Sequence, residues 1–180
     1  MSIDKTIDKF GAKNQLRAVA SSPTADEPLA LIDCGDVNFI ISSKDIVTLM
    51  SAQKMSSPTL NLACGEIVLE EDNLPVFAIN KALQIIPARA ANHLTVVVIR
   101  HQQQLFGLCC GTLEKIEMND LQIFSVPISM GSRKQPFSEF AVVNNRAAGL
   151  TSANNLLRLL ESRGVIWPVI SDNKSIQEAS

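Results

Sequence analysis

The stretch LTVVVIRHQQQLFGLCCGTLEKIEM, residues 94–118, decides the fold class. Two apolar runs flank the polar turn Gln102, Gln103 and Gln104, the pattern of a β-hairpin. From Leu94 to Ile99 the run is apolar on both faces, which predicts a strand covered on both sides and therefore central. Cys109 and Cys110 are adjacent on the returning strand, so their side chains point to opposite faces.

The same pattern repeats outward from this hairpin. LALIDCG (29–35) and VNFIIS (37–42) read as a hairpin turned at Gly35 and Asp36. GEIVLEEDNLPVFAIN (65–80) reads as another, carrying Glu70, Glu71 and Asp72 at its tip. Pro75 has no N–H for a ladder, so its strand is expected to start there or lie at an edge. LQIFSVP (121–127) is a further strand, and FAVVNNRAAGL (140–150) a last hairpin turned at Asn144 and Asn145. NKALQIIP (80–87) reads as a short turn or helix.

Two segments change period. In SSKDIVTLMSA (42–52) a serine caps, and Ile46, Leu49 and Met50 fall at i, i+3 and i+4, which predicts a short helix after the second strand. In TSANNLLRLLESRG (151–164) Thr151 or Ser152 caps, Leu156, Leu157, Leu159 and Leu160 form the apolar stripe, and Gly164 stops the helix. Many short strands with so few helices point to barrels or a sandwich; a parallel α/β sheet needs a helix after most strands.

The flanks differ in character. Residues 1–27 end in SSPTADEP and read as a mobile N-terminal tail with one marginal helix near Asn14 to Ala20. Residues 28–164 are the domain, and residues 165–180, with Trp167, a C-terminal tail. At 180 residues and 46% apolar content the chain suits one domain with a substantial core. A net charge of −2 and a pI near 5.7 argue against nucleic acid, which demands a basic face. No apolar run approaches the roughly 18 residues of a membrane span, and residues 1–15 lack a signal-peptide core, so a cytoplasmic address without membrane insertion is expected.

Catalytic templates are largely unmet. Walker A, HExxH, GxSxG and GxGxxG are not present in the sequence. Cys34, Cys64, Cys109 and Cys110 lie in apolar runs without a CxxC pair, so they read as reduced core residues and a zinc site is not expected. The one nucleophile arrangement available pairs His101 with Cys109 across the glutamine turn, and it lacks an orienting third group. His93 reads as a strand-end residue. The carboxylates at 70–72 lack the spacing of a calcium loop, leaving an exposed charged turn or a surface presented to a partner's Arg or Lys.

Four motifs in order carry a resemblance to the CheW family, the adaptor domains of bacterial chemosensory arrays, from Pro28 to about Arg163. They are FIISSKDIVTL (39–49), Gly65 with Pro75 ten residues later, QQQLFGLCCGTLEKI (102–116) with Gly107 at the family's glycine, and FAVVNNRAAGLTSANNLLRLL (140–160). The polar positions depart: the family's Arg-Gly falls on Glu70 and Glu71, and its aspartates fall on Ala78 and Gly111. The resemblance implies two small SH3-like five-stranded β-barrels packed together around a shared apolar groove. It also implies a non-catalytic, cofactor-free adaptor linking a chemoreceptor's cytoplasmic tip to the regulatory domain of a CheA-like histidine kinase, in flagellar or pilus-driven motility. Carried over by position, the partner-binding residues are Ile46, Thr48, Gly65, Glu70, Glu71, Gly107 and Ile116. Ile46 and Ile116 read equally as core, and both glycines as backbone devices. Two other readings stand beside the adaptor: a divergent domain with a different partner, and a thiol redox sensor using Cys109 and Cys110.

Overall fold

The computed structural model describes residues 27–126 and 135–168. The expected N-terminal tail up to residue 26, its marginal helix, the loop at 127–134 and the chain beyond 168 lie outside the described residues. Within them run twelve strands: β1 (Leu29–Asp33), β2 (Asn38–Ser42), β3 (Ile46–Ser51), β4 (Gly65–Leu69), β5 (Asp72–Ile79), β6 (Ile85–Ile86), β7 (Thr95–His101), β8 (Gln104–Cys110), β9 (Thr112–Ile116), β10 (Gln122–Ser125), β11 (Glu139–Val143) and β12 (Arg146–Leu150). The helix α1 (Ala153–Ser162) follows. The fold is mostly β, two curled sheets forming half-barrels.

One sheet has the order β10-β11-β12-β2-β1-β9, the other β3-β7-β8-β5-β4 with β6 on β5. The chain builds part of the first sheet, all of the second, then returns at Gly111, whose N–H bonds Asp33 O. Every hairpin expected from the sequence is present, and β7 is central between β3 and β8. Asn144 and Asn145 both take positive φ (50° and 59°), as a two-residue hairpin turn of type I′ requires.

The continuous apolar runs have a physical cause: alternate residues serve two different cores. Along β7, Val96 and Val98 fill the interior of the second sheet, while Val97 and Ile99 enter a shared core between the sheets. Along β1, Leu29 and Leu31 fill the first sheet's interior, while Ala30 and Ile32 enter the shared core. Each fully buried Leu, Ile or Val contributes about 1.5–3 kcal/mol, so both faces of these strands reward apolar residues. Leu156, Leu159 and Leu160 of α1 close the shared core.

Helix α1 begins and ends as its sequence predicts. Ser152 Oγ accepts from the Asn155 N–H at 3.2 Å, and Gly164 (φ 98°) closes the other end. There the Gly164 N–H bonds Glu161 O and the Val165 N–H bonds Leu160 O, a Schellman motif in which Val165 packs with Leu160 in the shared core. The turn delivers Trp167 onto Phe77 and Phe106, ring centroids 5.8 and 6.0 Å away. Val165 and Trp167 of the C-terminal tail are thus part of the packed body, while Ile166 between them is exposed.

The helix expected at 42–52 is a correction. One 3-10 turn, Ser43–Asp45, does follow β2, capped by Ser42 Oγ on the Lys44 N–H. Ile46, Leu49 and Met50, however, lie on strand β3, paired with β7. Ile46, Val47 and Thr48 are β-branched and stiff at χ1, and the pairing with β7 outweighs a helical spacing of only three residues. Asp45 serves the other helix: its carboxylate accepts from the Ala153 N–H at 3.1 Å, at the N-terminus of α1.

Candidate functional site

The residues singled out by sequence divide into a surface set and an internal set. Ile46 and Thr48 lie on β3, the end strand of the second sheet, where the register shifts between them. Ile46 is half-buried against the shared core and pairs with Ile99; Thr48 pairs with Val98. Glu70 and Glu71 form the exposed turn between β4 and β5, with Glu70 at φ 58°. β4 is the opposite end of the same sheet, so these four residues mark its two margins.

Gly65, Gly107 and Ile116 are buried. Gly65 starts β4 buried beneath Met55, and a Cβ there would lie 2.9 Å from Met55 Cε. Gly107 sits inside the second sheet, where a Cβ would lie 2.7 Å from Val96 Cγ1. Ile116 belongs to the interior of the first sheet, opposite Leu29. These three shape and fill the frame.

Sequence reasoning missed the apolar exposure around the margins. Val47 and Leu49 on β3 are 38% and 49% exposed, Leu94 before β7 is 55% exposed, and Val68 on β4 is 55% exposed. The Leu94 carbonyl takes the Ala52 N–H just beyond β3, which places it beside that strand's end. Alternation within the half-buried β3 was the available signal, hidden by reading the segment as a helix.

Pro75 pairs with Glu66, whose N–H and C=O both bond Ser56 on the other side. That pair exchanges no ladder bond, so proline is tolerated within β5 rather than only at its start. Glu66 itself is buried, and its carboxylate accepts from both the N–H and the hydroxyl of Thr59. The Thr59 hydroxyl bond, followed by backbone donors, holds Glu66 below the usual carboxylate range against the opposing effect of burial.

The nucleophile pairing that the sequence offered is not formed. His101 pairs with Gln104 while Cys109 pairs with Val96, so the turn does not bring that histidine and cysteine face to face. Cys109 and Cys110 occupy different cores. Burial, and then Asp33, push the Cys110 thiol up to about 11. His93 is buried behind Gly35, and the Arg89 guanidinium holds its carbonyl at 2.9 Å. Among the described residues no three His, Cys, Asp or Glu side chains gather as a metal site. An open cavity of about 390 Å³ lies beside α1, lined by Pro136, Asn155, Arg158, Leu159 and Ser162 among others; none of the singled-out residues lines it.

Twin half-barrels around a shared core, with apolar side chains at the margins of one sheet, agree with what the family model finds. The CheW-like domain matches residues 28–161. The chain belongs to the CheW-like domain family. A search of curated proteins finds no match. Among solved structures, the scaffolding protein TtCheW from Thermoanaerobacter tengcongensis is similar, at 14% identity and a TM-score of 0.48. That match covers 69% of this chain and 87% of TtCheW. Among the described residues no helix is long and apolar enough to cross a membrane.

Proposed function

We propose that this chain is a non-catalytic adaptor of a bacterial chemosensory or motility pathway, working in the cytoplasm. It joins a chemoreceptor's cytoplasmic tip to the regulatory domain of a CheA-like histidine kinase. The observation that carries the reading is the CheW-like domain match across residues 28–161. The margins of the second sheet supply a physical basis for binding. Among the described residues β3 is an end strand with no strand paired on its outer side, flanked by the exposed Val47, Leu49 and Leu94. Open edges with apolar neighbours recruit protein partners by strand addition or apolar contact. Thr48 and Ile46 lie on this margin, and Glu70 and Glu71 on the opposite one. The unit that does the binding is residues 28–164, with Val165 and Trp167 locked onto it.

Binding to purified receptor cytoplasmic domain and kinase regulatory domain tests the proposal. Saturable binding to at least one, weakened by Leu49→Asp, is the expected result. Binding to neither sinks the adaptor reading.

The acidic turn favours a second reading, a CheW-like domain whose partner differs from the family's usual one. A side that expects arginine meets two carboxylates, and like charge there costs affinity for the usual partner. Competition with an ordinary CheW protein separates the two: an array member displaces it, and a domain with a different partner leaves it bound.

A further inference from the structure

Three sulfur atoms meet on the inner side of the second sheet, and the adaptor reading uses none of them. Cys64 Sγ lies 3.7 Å from Cys109 Sγ, and Cys109 Sγ lies 3.9 Å from Met55 Sδ. The residues come from three places: the end of a 3-10 turn, the residue before β4, and strand β8. Met55 packs over Gly65, where a Cβ would come within 2.9 Å of its Cε.

We propose that Met55, Cys64 and Cys109 form a binding site for a soft monovalent d10 metal ion, Cu(I) in the cell.

The donor set selects the ion. Thiolate and thioether sulfur favour Cu(I), whereas structural zinc takes four donors and uses thiolate or imidazole. Three sulfurs bonded in a plane at about 2.3 Å from one ion stand about 4 Å apart, and the two separations found are 3.7 and 3.9 Å. Both separations to Cys109 are thus already those of sulfurs sharing one ion.

A disulfide is the competing use of two close thiols, and the topology opposes it. β5 lies between β4 and β8, and the Cys64 N–H still bonds Val76 O on β5. The two cysteines therefore lie on either side of β5 rather than on paired strands, and a bridging ion adds two bonds of reach.

The electrostatics also suit a cation joined to sulfur. Two thiols that take one Cu(I) release two protons and leave a two-thiolate complex. The Arg89 charge acts favourably on both sulfurs, offsetting the net negative charge of the complex. Cys64 is half-exposed, which gives the ion a way in.

The test is an anaerobic titration of the reduced protein with Cu(I), supplied as its acetonitrile complex against a chromophoric Cu(I) chelator. Wild-type protein is expected to draw one equivalent from the chelator, with an ultraviolet sulfur-to-metal charge-transfer band. Cys64→Ser, at a half-exposed position that folding tolerates, is expected to lower affinity by more than the roughly 10–100-fold that loss of an outer-sphere partner costs. Met55→Leu keeps the volume and is expected to lose about tenfold, while Cys34→Ser leaves binding unchanged. No copper drawn from the chelator overturns the proposal, as does equal affinity in wild type and Cys64→Ser. A Cys64–Cys109 cross-link formed by peroxide in protein that draws no copper also overturns it.

Discussion

Each of the two sheets contains one parallel pair of strands, and a glycine stands in each pair. In the first sheet Gly149 on β12 lies opposite Phe39 on β2; in the second Gly107 on β8 lies opposite Val76 on β5. The backbone device is the same, but the neighbours differ. A Cβ on Gly149 would meet the ring of Phe137, a half-buried residue of the irregular stretch before β11. A Cβ on Gly107 would meet Val96 and Val76, both fully buried and β-branched, within regular strands. The first junction is packed by something able to swing away. The second is packed by side chains with nowhere to go.

The outer side of the second junction also carries Trp167, edge-on to Phe77 and tilted against Phe106. The largest expected effect on that junction is therefore Trp167→Ala, at about 3 kcal/mol, the low end for truncating a core aromatic because the ring is only part-buried. Trp167→Phe sharpens the point. The indole N–H is buried without a hydrogen-bond partner among the described residues, so phenylalanine keeps the ring contact and removes that donor. Urea unfolding followed by circular dichroism is expected to place Trp167→Phe within about 1 kcal/mol of wild type. Equal loss in both variants would mean that Trp167 acts through something other than its ring.

Next in size is the direct comparison of the glycines. Gly107→Ala is expected to cost about 1–3 kcal/mol through overpacking, and Gly149→Ala less, since Phe137 moves aside. Equal losses in urea unfolding would show that the two junctions are equally rigid and that the contrast between them is false.

Much of this frame was legible in the sequence, for a reason visible in β1, β7 and β8. Strands that feed two cores at once must be apolar at every position, and such runs stand out. The asparagine turn at 144 and 145 and the stop at Gly164 were legible because backbone conformation alone demands those residues. β3 was not: six residues satisfy a helical and a strand period together, and the choice is made by β7, 44 or more positions away. Nor was the Cys64–Cys109 contact, separated by 45 residues and created by strand order. The margins of the second sheet left the weakest trace, because Glu70 and Glu71 are exposed, Thr48 is only half-buried, and the core places little demand on them. For the glycines, the reading as backbone devices agrees with the close neighbours a Cβ would meet at 65 and 107.

A smaller effect distinguishes the sheets by pH. In the second sheet Glu66 is held ionised by Thr59. A carboxylate lowered on folding contributes stability that is complete above its ordinary value of 4.5 and is lost as pH falls through its folded value. Wild type is therefore expected to lose stability below about pH 4.5 more steeply than Glu66→Gln, with the two curves converging in acid. Parallel curves from thermal unfolding between pH 3 and 7, about four units, would remove Glu66 as a contributor.

The smallest expected change in stability belongs to the turn at the far margin of the second sheet. Glu70→Arg with Glu71→Gly alters two exposed residues that make no hydrogen bond or ion pair among those found in the described residues. Surface changes of this kind fall within about 0.5 kcal/mol, and Glu70 at φ 58° keeps a side chain in either form. Binding is the place to look. Restoring the family's Arg-Gly is expected to raise affinity for a standard kinase regulatory domain or receptor tip, with salt reducing the gain because the contacts are exposed. Unchanged affinity alongside unchanged stability would mean that the acidic tip faces solvent alone, and that partner choice is made at the β3 margin by Val47, Leu49 and Leu94.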